Sequence, residues 1–339
     1  MIFTMFRVVA VLVAALLATG AHAALPPQIA FVGVRPEGIH VFVGTPDGRT
    51  PRQLTRGIGL NQSPRYSFDG RYLVFASNRR GRWQVFVMRA DGSDQRALTS
   101  GPQDDLFPVW SPDGTRIAYV SRRGDDEQIH VMNANGSGRR RLTRPPGRNT
   151  VPVWSPDGTW IAYVFRQSGE EPELYVMRSD GSQRRRLGGP VLLRPGMLHP
   201  VWSPDGREIA YVVRVGRAEQ QISVVDVTTG AHRRLTTGYA PHWSPDGRRI
   251  AFVVQRVGDS QIYLMNSDGT GVTRLTSAGA NMLPTWSPDG RWLAYISAGG
   301  GGLGLYVVPV DAVEPGRVGR RVAEVAGDLS MLPVFSWRP

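Results

Sequence analysis

The sequence predicts an all-β fold, a β-propeller of four-stranded antiparallel blades, on the strength of a repeat and of the strands inside it. The segment Pro-Val-Trp-Ser-Pro-Asp-Gly at residues 152–158 recurs, intact or altered, along most of the chain. Its central serine is found at Ser67, Ser111, Ser155, Ser203, Ser244, Ser287 and, in a degraded copy, Ser336. Successive serines lie 41 to 49 residues apart. A period in the forties with several short strands per unit is typical of a propeller.

One unit illustrates the four strands of a blade. We expect strands at residues 152–154, 160–164, 173–177 and 184–187. The first two are joined by Ser-Pro-Asp-Gly, a tight turn in which proline suits the second position and glycine tolerates positive φ. Asp180-Gly181 marks a hairpin turn between the last two. The repeated tryptophan is interpreted as a residue that packs between blades, because its area is large and it recurs regularly.

The two ends of the chain are expected to share one blade. Residues 29–34, 39–43 and 52–55 match the second, third and fourth strands of a unit, and no first strand precedes them. The segment 332–336 resembles a first strand and has no partners after it. Its pairing with the N-terminal strands would remove the open sheet edges of the ring. The count is then seven blades, with six as the alternative, and residues 24–339 form a single domain.

Residues 1–23 have the pattern of a secretory signal peptide. Arg7 precedes an apolar run at 8–18, and Ala21-His22-Ala23 fits a cleavage site. The run is shorter than the roughly 20 residues that span a bilayer. We therefore predict an exported, periplasmic protein that does not span the membrane and is a monomer. The chain has no cysteine, so its folding needs no disulfide.

The formal net charge is +12, and all 40 basic residues are arginine. Many of these arginines fall in predicted fourth strands, for example at 139–141, 184–186 and 233–234. Charged outer strands prevent edge-to-edge pairing of sheets. The alternative is an anionic partner of the cell envelope. Nucleic acid is not expected, because the chain is predicted to be exported and no aromatic residues alternate with the arginines.

The unit Pro-x-Trp-Ser-Pro-Asp-Gly, Ile-Ala-Tyr-Val, Tyr-Val-Met, Asp-Gly-Ser and Arg-Leu-Thr resembles the TolB-type (WD40-like) propeller repeat, over essentially the whole mature chain. TolB proteins are periplasmic partners of the Tol–Pal system, with an α/β domain before a six-bladed propeller. The resemblance therefore implies a protein-binding propeller of the envelope. This chain is expected to differ from them in having no α/β domain after the signal and in having seven blades. Related propellers also precede prolyl-oligopeptidase-like hydrolase domains, and no such domain is expected here.

No catalytic constellation is found: there is no Gly-x-Ser-x-Gly, no His-Glu-x-x-His, no cysteine and no lysine. No catalytic residue, metal site or cofactor is predicted. Recognition is instead expected in the loops that vary between repeats, at one end of the ring around its central mouth. The candidate lining residues are Asn61, Asp104, Asp105, Asn149, His199, Tyr239, His242 and Asn281.

Two functions are compatible with these features. The first is a non-catalytic envelope binding protein that engages a protein or peptide at the mouth of the propeller. The second is a small lyase or hydrolase for an anionic glycan or small molecule, with His199, His242 and Asp104 or Asp105 converging in the channel. The partner and the substrate are not encoded in the repeat.

Overall fold

A computed structural model describes residues 27–192, 199–216, 219–256, 259–298, 302–310, 319–325 and 335–339. Within these ranges the chain forms 28 strands and no helix, and the strands pair antiparallel in groups of four. This confirms the all-β fold class. The predicted signal peptide lies outside the described residues. Among those residues no helix is long and apolar enough to cross a bilayer.

The strands are numbered in chain order, and each group is given from its first, inner strand outward. The groups at the start of the chain are β28 (Phe335–Trp337), β1 (Ile29–Arg35), β2 (Gly38–Gly44), β3 (Arg52–Gln53); then β4 (Gly59–Tyr66), β5 (Tyr72–Ser77), β6 (Gln84–Arg89), β7 (Arg96–Ala97); then β8 (Asp104–Trp110), β9 (Arg116–Arg123), β10 (Asp126–Asn133), β11 (Arg140–Arg141). The central group is β12 (Arg148–Trp154), β13 (Trp160–Arg166), β14 (Glu173–Arg178), β15 (Arg185–Gly188). The remaining groups are β16 (Val201–Trp202), β17 (Glu208–Val215), β18 (Glu219–Asp226), β19 (His232–Thr237); then β20 (Tyr239–Trp243), β21 (Arg249–Arg256), β22 (Asp259–Asn266), β23 (Thr273–Arg274); and β24 (Ala280–Trp286), β25 (Trp292–Ala298), β26 (Leu303–Pro309), β27 (Arg320–Glu324).

The second strands are buried on both faces, because each sheet packs against a sheet on either side. In β13 the run Ile161-Ala162-Tyr163-Val164 has no exposed surface. The turn that precedes it is held by its own side chains. The Asp157 carboxylate accepts from the Thr159 backbone N–H at 3.0 Å, and the Ser155 hydroxyl accepts from that of Trp160 at 2.9 Å. The turn chemistry predicted for Ser-Pro-Asp-Gly therefore fixes the angle between the first and second strands.

Tryptophan side chains of three first strands bond to the preceding blade, whereas among the described residues the indole N–H groups of Trp110, Trp154 and Trp243 have no hydrogen-bond partner. The indole N–H of Trp202 donates to the carbonyl of Val153 at 3.1 Å, and that of Trp286 donates to His242 at 3.1 Å. Both indoles are buried. Where the bond forms, the tryptophan connects blades not only by packing but also by a specific bond to the residue just before the tryptophan of the neighbouring strand.

The C-terminal strand pairs with β1, but in a register two residues from the predicted one. We expected Phe335 to occupy the tryptophan position, followed by Ser336. Instead Trp337 is opposite Ile29, just as Trp286 is opposite Leu293. Its indole donates to Thr285 at 3.0 Å. The reason is chemical, since an indole can fill the gap between sheets and also donate a bond, whereas a phenyl ring cannot donate. The predicted residues 332–334 lie outside the described ranges.

Arginine side chains of the fourth strands bond to the following blade. Each guanidinium donates to a backbone carbonyl in or beside the turn between the third and fourth strands of that blade. The donor–acceptor pairs are Arg52 with Asp91, Arg96 with Asn135, Arg140 with Asp180, Arg185 with Val227, Arg233 with Ser267 and Arg320 with Asp47. We call these six residues the outer arginines. Their bonds give the arginine-rich outer strands a structural role in addition to edge protection.

Candidate functional site

Five neighbouring first strands, with the residues beside them, enclose a cavity of about 510 Å³. Equivalent positions of successive repeats line it, which places it in the central channel. The cavity extends to the Ser-Pro-Asp-Gly turns, and its walls are mostly apolar. The lining residues are Ser63, Arg65, Tyr66, Phe68, Phe107, Pro108, Val109, Trp110, Pro112, Val151, Pro152, Val153, Trp154, Pro156, His199, Pro200, Val201, Trp202, Pro204 and His242. We call this space the channel cavity.

A bulge recurs in the first strands where they pass the channel cavity. In β12 the pairing shifts between Thr150 and Val153, so that one residue is extra. Val151, inside the bulge, has a φ of +49°, a conformation that β-branched residues rarely adopt. Phe107 has a φ of +53° at the equivalent place in β8. The bulge bends each first strand at the level at which its side chains line the cavity.

Arg65 is the cationic side chain of the cavity lining. Burial lowers the pKa of its guanidinium to about 10. Within the described residues it forms no ion pair, and none of their carboxylates is part of the cavity wall. Arginine remains charged at such a pKa, so the channel cavity contains a positive charge without a counter-ion from the described chain.

His199 and His242 come from neighbouring blades and line the same cavity. The Nδ1 atom of each lies beside a backbone carbonyl, that of Pro200 at 3.3 Å and that of Trp243 at 3.2 Å. These contacts favour the tautomer with the proton on Nδ1 and a free acceptor at Nε2. Burial, together with the charge of Arg65, lowers the pKa of His199 to about 4. Burial and the neighbouring His199 lower that of His242 to about 4 as well. Both rings are therefore neutral at pH 7.

Four of the predicted mouth residues occupy one repeat position, six residues before the serine, and all four are buried. Three of them are asparagines, whose side-chain amides donate to the preceding blade. The pairs are Asn61 with the Ile39 carbonyl at 2.7 Å, Asn149 with Gln128 at 3.1 Å, and Asn281 with Gln261 at 3.0 Å. The fourth is Asp105, and burial raises the pKa of its carboxyl group. In the structure these side chains connect blades, and a part for them in binding stays a prediction.

Of the four remaining predicted residues, two line the channel cavity and two lie outside it. The carboxylate of Asp104 accepts from the Trp83 backbone N–H and pairs with Arg122, both at 3.2 Å. Tyr239 is buried in an apolar cluster with Val253. The structure thus brings His199 and His242 together in the channel cavity, and it leaves Asp104, Asp105 and Tyr239 outside the cavity wall. No group of three or more potential metal-binding side chains occurs in the described ranges.

Arg65 was not among the predicted residues. It stands two residues before Ser67, at the position that is valine in Val109, Val153 and Val201. A comparison of the repeats at this position alone would have selected Arg65 and His242, since both replace an apolar side chain with a titratable one. The sequence signal was therefore a departure from the repeat, within the first strand and not in the loops.

Comparison with known proteins agrees with this architecture. The model of the TolB beta propeller domain matches residues 102–192 and 191–331, which together exceed half of the chain. This chain belongs to the TolB β-propeller domain family. No curated protein matches it in sequence.

Several solved structures share its fold. TolB from Acinetobacter baumannii is 19% identical with a TM-score of 0.55, and the match covers 94% of this chain and 84% of that one. A putative TolB from Agrobacterium tumefaciens is 24% identical with a TM-score of 0.54, over 84% of this chain and 99% of that one. A puromycin-hydrolyzing peptidase of Mycobacterium tuberculosis is 17% identical with a TM-score of 0.67, over 88% of this chain and 54% of that one. These likenesses concern the fold.

Proposed function

We propose that this chain is a non-catalytic binding protein of the bacterial cell envelope, which engages a segment of a partner protein in its channel cavity. The observation that carries this proposal is the cavity itself. Its volume of about 510 Å³ lies within the range of roughly 300–1,000 Å³ of ligand sites. Valines, prolines and tryptophans form most of its wall, so a partner side chain would be desolvated on entering it.

An exposed aromatic ring stands in the cavity lining. Phe68 replaces the proline of Ser-Pro-Asp-Gly in the second blade, and 59% of its surface is exposed. Exposed aromatic residues beside a pocket are typical anchors of protein interfaces. Phe68 supports a partner that covers the turn end of the ring while it inserts a segment into the channel.

The cellular place of this interaction is proposed from the sequence and the family. The signal-peptide pattern at residues 1–23 and the membership of the TolB propeller family favour a periplasmic monomer. Whether its partner belongs to the Tol–Pal system would follow from the identity of the captured protein.

The alternative of a lyase or hydrolase has one supporting observation, the pair of imidazoles beside Arg65. A general base works best when its pKa is near the working pH. The pKa values of His199 and His242, both about 4, make these rings weak bases at pH 7. Binding is therefore the better-supported function.

The proposal is tested by filling the cavity. Val153 is half-buried in its wall, and Val153→Trp would introduce an indole ring that narrows the cavity. The matched control is Val34→Trp, since Val34 is 52% exposed and lies outside the cavity. We expect partner capture from an envelope extract to be lost in Val153→Trp and kept in Val34→Trp, with both proteins folded by circular dichroism. Equal capture by the two variants would place the binding surface outside the channel.

A further inference from the structure

The guanidinium of Arg65 lacks a counter-ion in the described structure. Arg65 is partly buried, and withdrawing a charge even partly from water is costly unless a partner compensates it. The described side chains around it in the cavity are neutral or apolar, and no ion pair or side-chain hydrogen bond of Arg65 occurs within the described ranges. An anionic group that entered the cavity would supply the missing partner. Arginine suits a carboxylate in particular, because its planar fork can donate two parallel bonds.

The two imidazoles add a second requirement for the ligand. With Nδ1 bonded to the backbone carbonyls of Pro200 and Trp243, the Nε2 atoms of His199 and His242 remain as acceptors. A neutral acceptor does not bond to a carboxylate, and it needs an N–H or O–H donor. The ligand should therefore present a carboxylate and a hydrogen-bond donor at neighbouring positions. A fatty acid offers only the first of these groups.

A peptide chain ending in a free carboxylate offers both groups. Its terminal carboxylate would pair with Arg65, and the last peptide N–H groups lie within a few bonds of that carboxylate. The apolar walls, including Phe107, Val109 and Val153, would receive the side chains of the final residues. Three chemical features of the cavity, its charge, its acceptors and its apolar surface, thus agree on one kind of ligand.

We propose that Arg65, His199 and His242 form a receptor for the carboxyl terminus of a peptide with apolar last residues. This rests on the proposed function and specifies the segment that the channel takes. Arg65 supplies the charge that selects the terminus, and the two imidazoles orient its peptide groups.

The test compares two peptide libraries on the purified protein. Both contain N-acetylated tetrapeptides of apolar residues, one with a free carboxyl terminus and one with an amidated terminus. Bound peptides are identified by affinity selection and mass spectrometry, and the Kd of the best binder is measured by calorimetry. We expect selection of free-acid peptides, with the amidated form of the best binder weaker by about tenfold or more, the effect of a hydrogen bond to a charged group.

Substitutions then locate the recognition. Arg65→Met should weaken the best free-acid peptide by roughly tenfold to hundredfold and remove the preference for acid over amide. Arg65→Lys retains the charge but loses the planar guanidinium that donates two parallel bonds, and should give an intermediate Kd. The control is Arg56→Met, because Arg56 is exposed and outside the cavity, so the same charge change should leave Kd unaltered.

Thermal unfolding separates a receptor from a structural arginine. If Arg65 is held for a ligand, Arg65→Met should maintain or raise Tm of the free protein, since an uncompensated charge is removed. A marked decrease in Tm would show that Arg65 serves the fold, and would overturn the proposal.

The remaining outcomes are also decisive. Equal binding of acids and amides, or an Arg65→Met protein that still prefers acids, would overturn carboxylate recognition by this residue. Decanoate binding more tightly than every peptide would identify a small apolar acid as the ligand and overturn the peptide receptor. If neither library binds, the receptor is wrong, while partner capture by Val153→Trp still decides the proposed function independently.

Discussion

The inner and outer layers of the ring use polar side chains in different ways. In the outer layer, guanidinium groups cross to the next blade and find carbonyl oxygens, as Arg140 does with Asp180 at 2.8 Å. In the inner layer, indoles make the crossing, as Trp286 does with His242 at 3.1 Å. Both layers therefore bond neighbouring blades. The outer layer does so through guanidinium groups, and the inner layer through neutral indoles and amides together with a few charged groups such as Asp104.

Arg65 departs from both patterns. It belongs to a first strand, where the repeat has valine, and its guanidinium has no carbonyl or carboxylate partner among the described residues. Arginine side chains of the outer strands are hydrogen bonded, whereas the arginine of the channel has no such partner among the described residues. Side chains that lower the stability of the ligand-free protein are characteristic of functional sites.

This difference changes the meaning of the net charge of +12. Much of it comes from outer-strand arginines, some of which are hydrogen bonded to backbone oxygens of the next blade. Such bonds explain the abundance of arginine there without a ligand. An anionic envelope component at these strands stays a prediction, whereas the channel carries the stronger structural argument for an anion.

The largest expected effect concerns the inner layer at the seam between β28 and β1. Trp337 is 6% exposed and donates to Thr285 in the adjoining blade. Trp337→Ala should lower the free energy of unfolding by about 3–5 kcal/mol, because it removes a buried aromatic side chain. Trp337→Phe preserves most of the packing but not the bond, and should cost less. Denaturant unfolding measures both. An unaltered midpoint for Trp337→Ala would contradict the pairing of β28 with β1.

The next effect concerns the acid stability of the channel. The pKa values of His199 and His242 fall from 6.5 in the unfolded chain to about 4 in the fold. The unfolded chain thus binds protons that the fold does not, and stability is lost as pH decreases from about 6.5 to about 4. The loss is at most about 3 kcal/mol for each ring, and less where channel water and mutual coupling intervene.

A double variant isolates this contribution. Urea unfolding of the parent and of His199→Gln/His242→Gln should be compared at pH 7, 5 and 4. The turn aspartates, such as Asp157, also have a lowered pKa, as hydrogen bonds from Ser155 and Thr159 oppose the effect of burial. The stability that these aspartates lose at low pH is common to both proteins and cancels in the difference. Parallel pH profiles would mean that the two rings titrate normally in the fold.

Much of the fold was predictable because the repeat is explicit. The turn residues of 155–158 fixed strand boundaries, and the recurrent tryptophan indicated contacts between blades. The register of β28 was not predictable in this way, because Phe335-Ser336 imitates Trp-Ser of the repeat. Only the packing of Trp337 against the last blade, and its bond to Thr285, distinguishes the two registers.

The channel was harder to predict for a geometric reason. Arg65, His199 and His242 come from three separate repeats, and nothing local states that their side chains face one cavity. The asparagines at 61, 149 and 281 recur at one repeat position, but they stand beside loops that vary and so resembled binding residues. Their burial and their bonds to the preceding blade emerge only when neighbouring sheets are placed side by side.

The smallest expected effect concerns one bond of the outer layer. Arg140 is exposed, and its guanidinium donates to the Asp180 carbonyl of the next blade. Arg140→Gln should lower the free energy of unfolding by about 0.5–1 kcal/mol, the net value of a single hydrogen bond in contact with water. Arg144→Gln is the control, because Arg144 is exposed nearby and has no such bond among the described residues. Chemical denaturation of both should show a shift only for Arg140→Gln, opposite in sign to any gain from Arg65→Met. A loss of partner capture in Arg140→Gln without a change in stability would instead assign the outer arginines to an anionic partner.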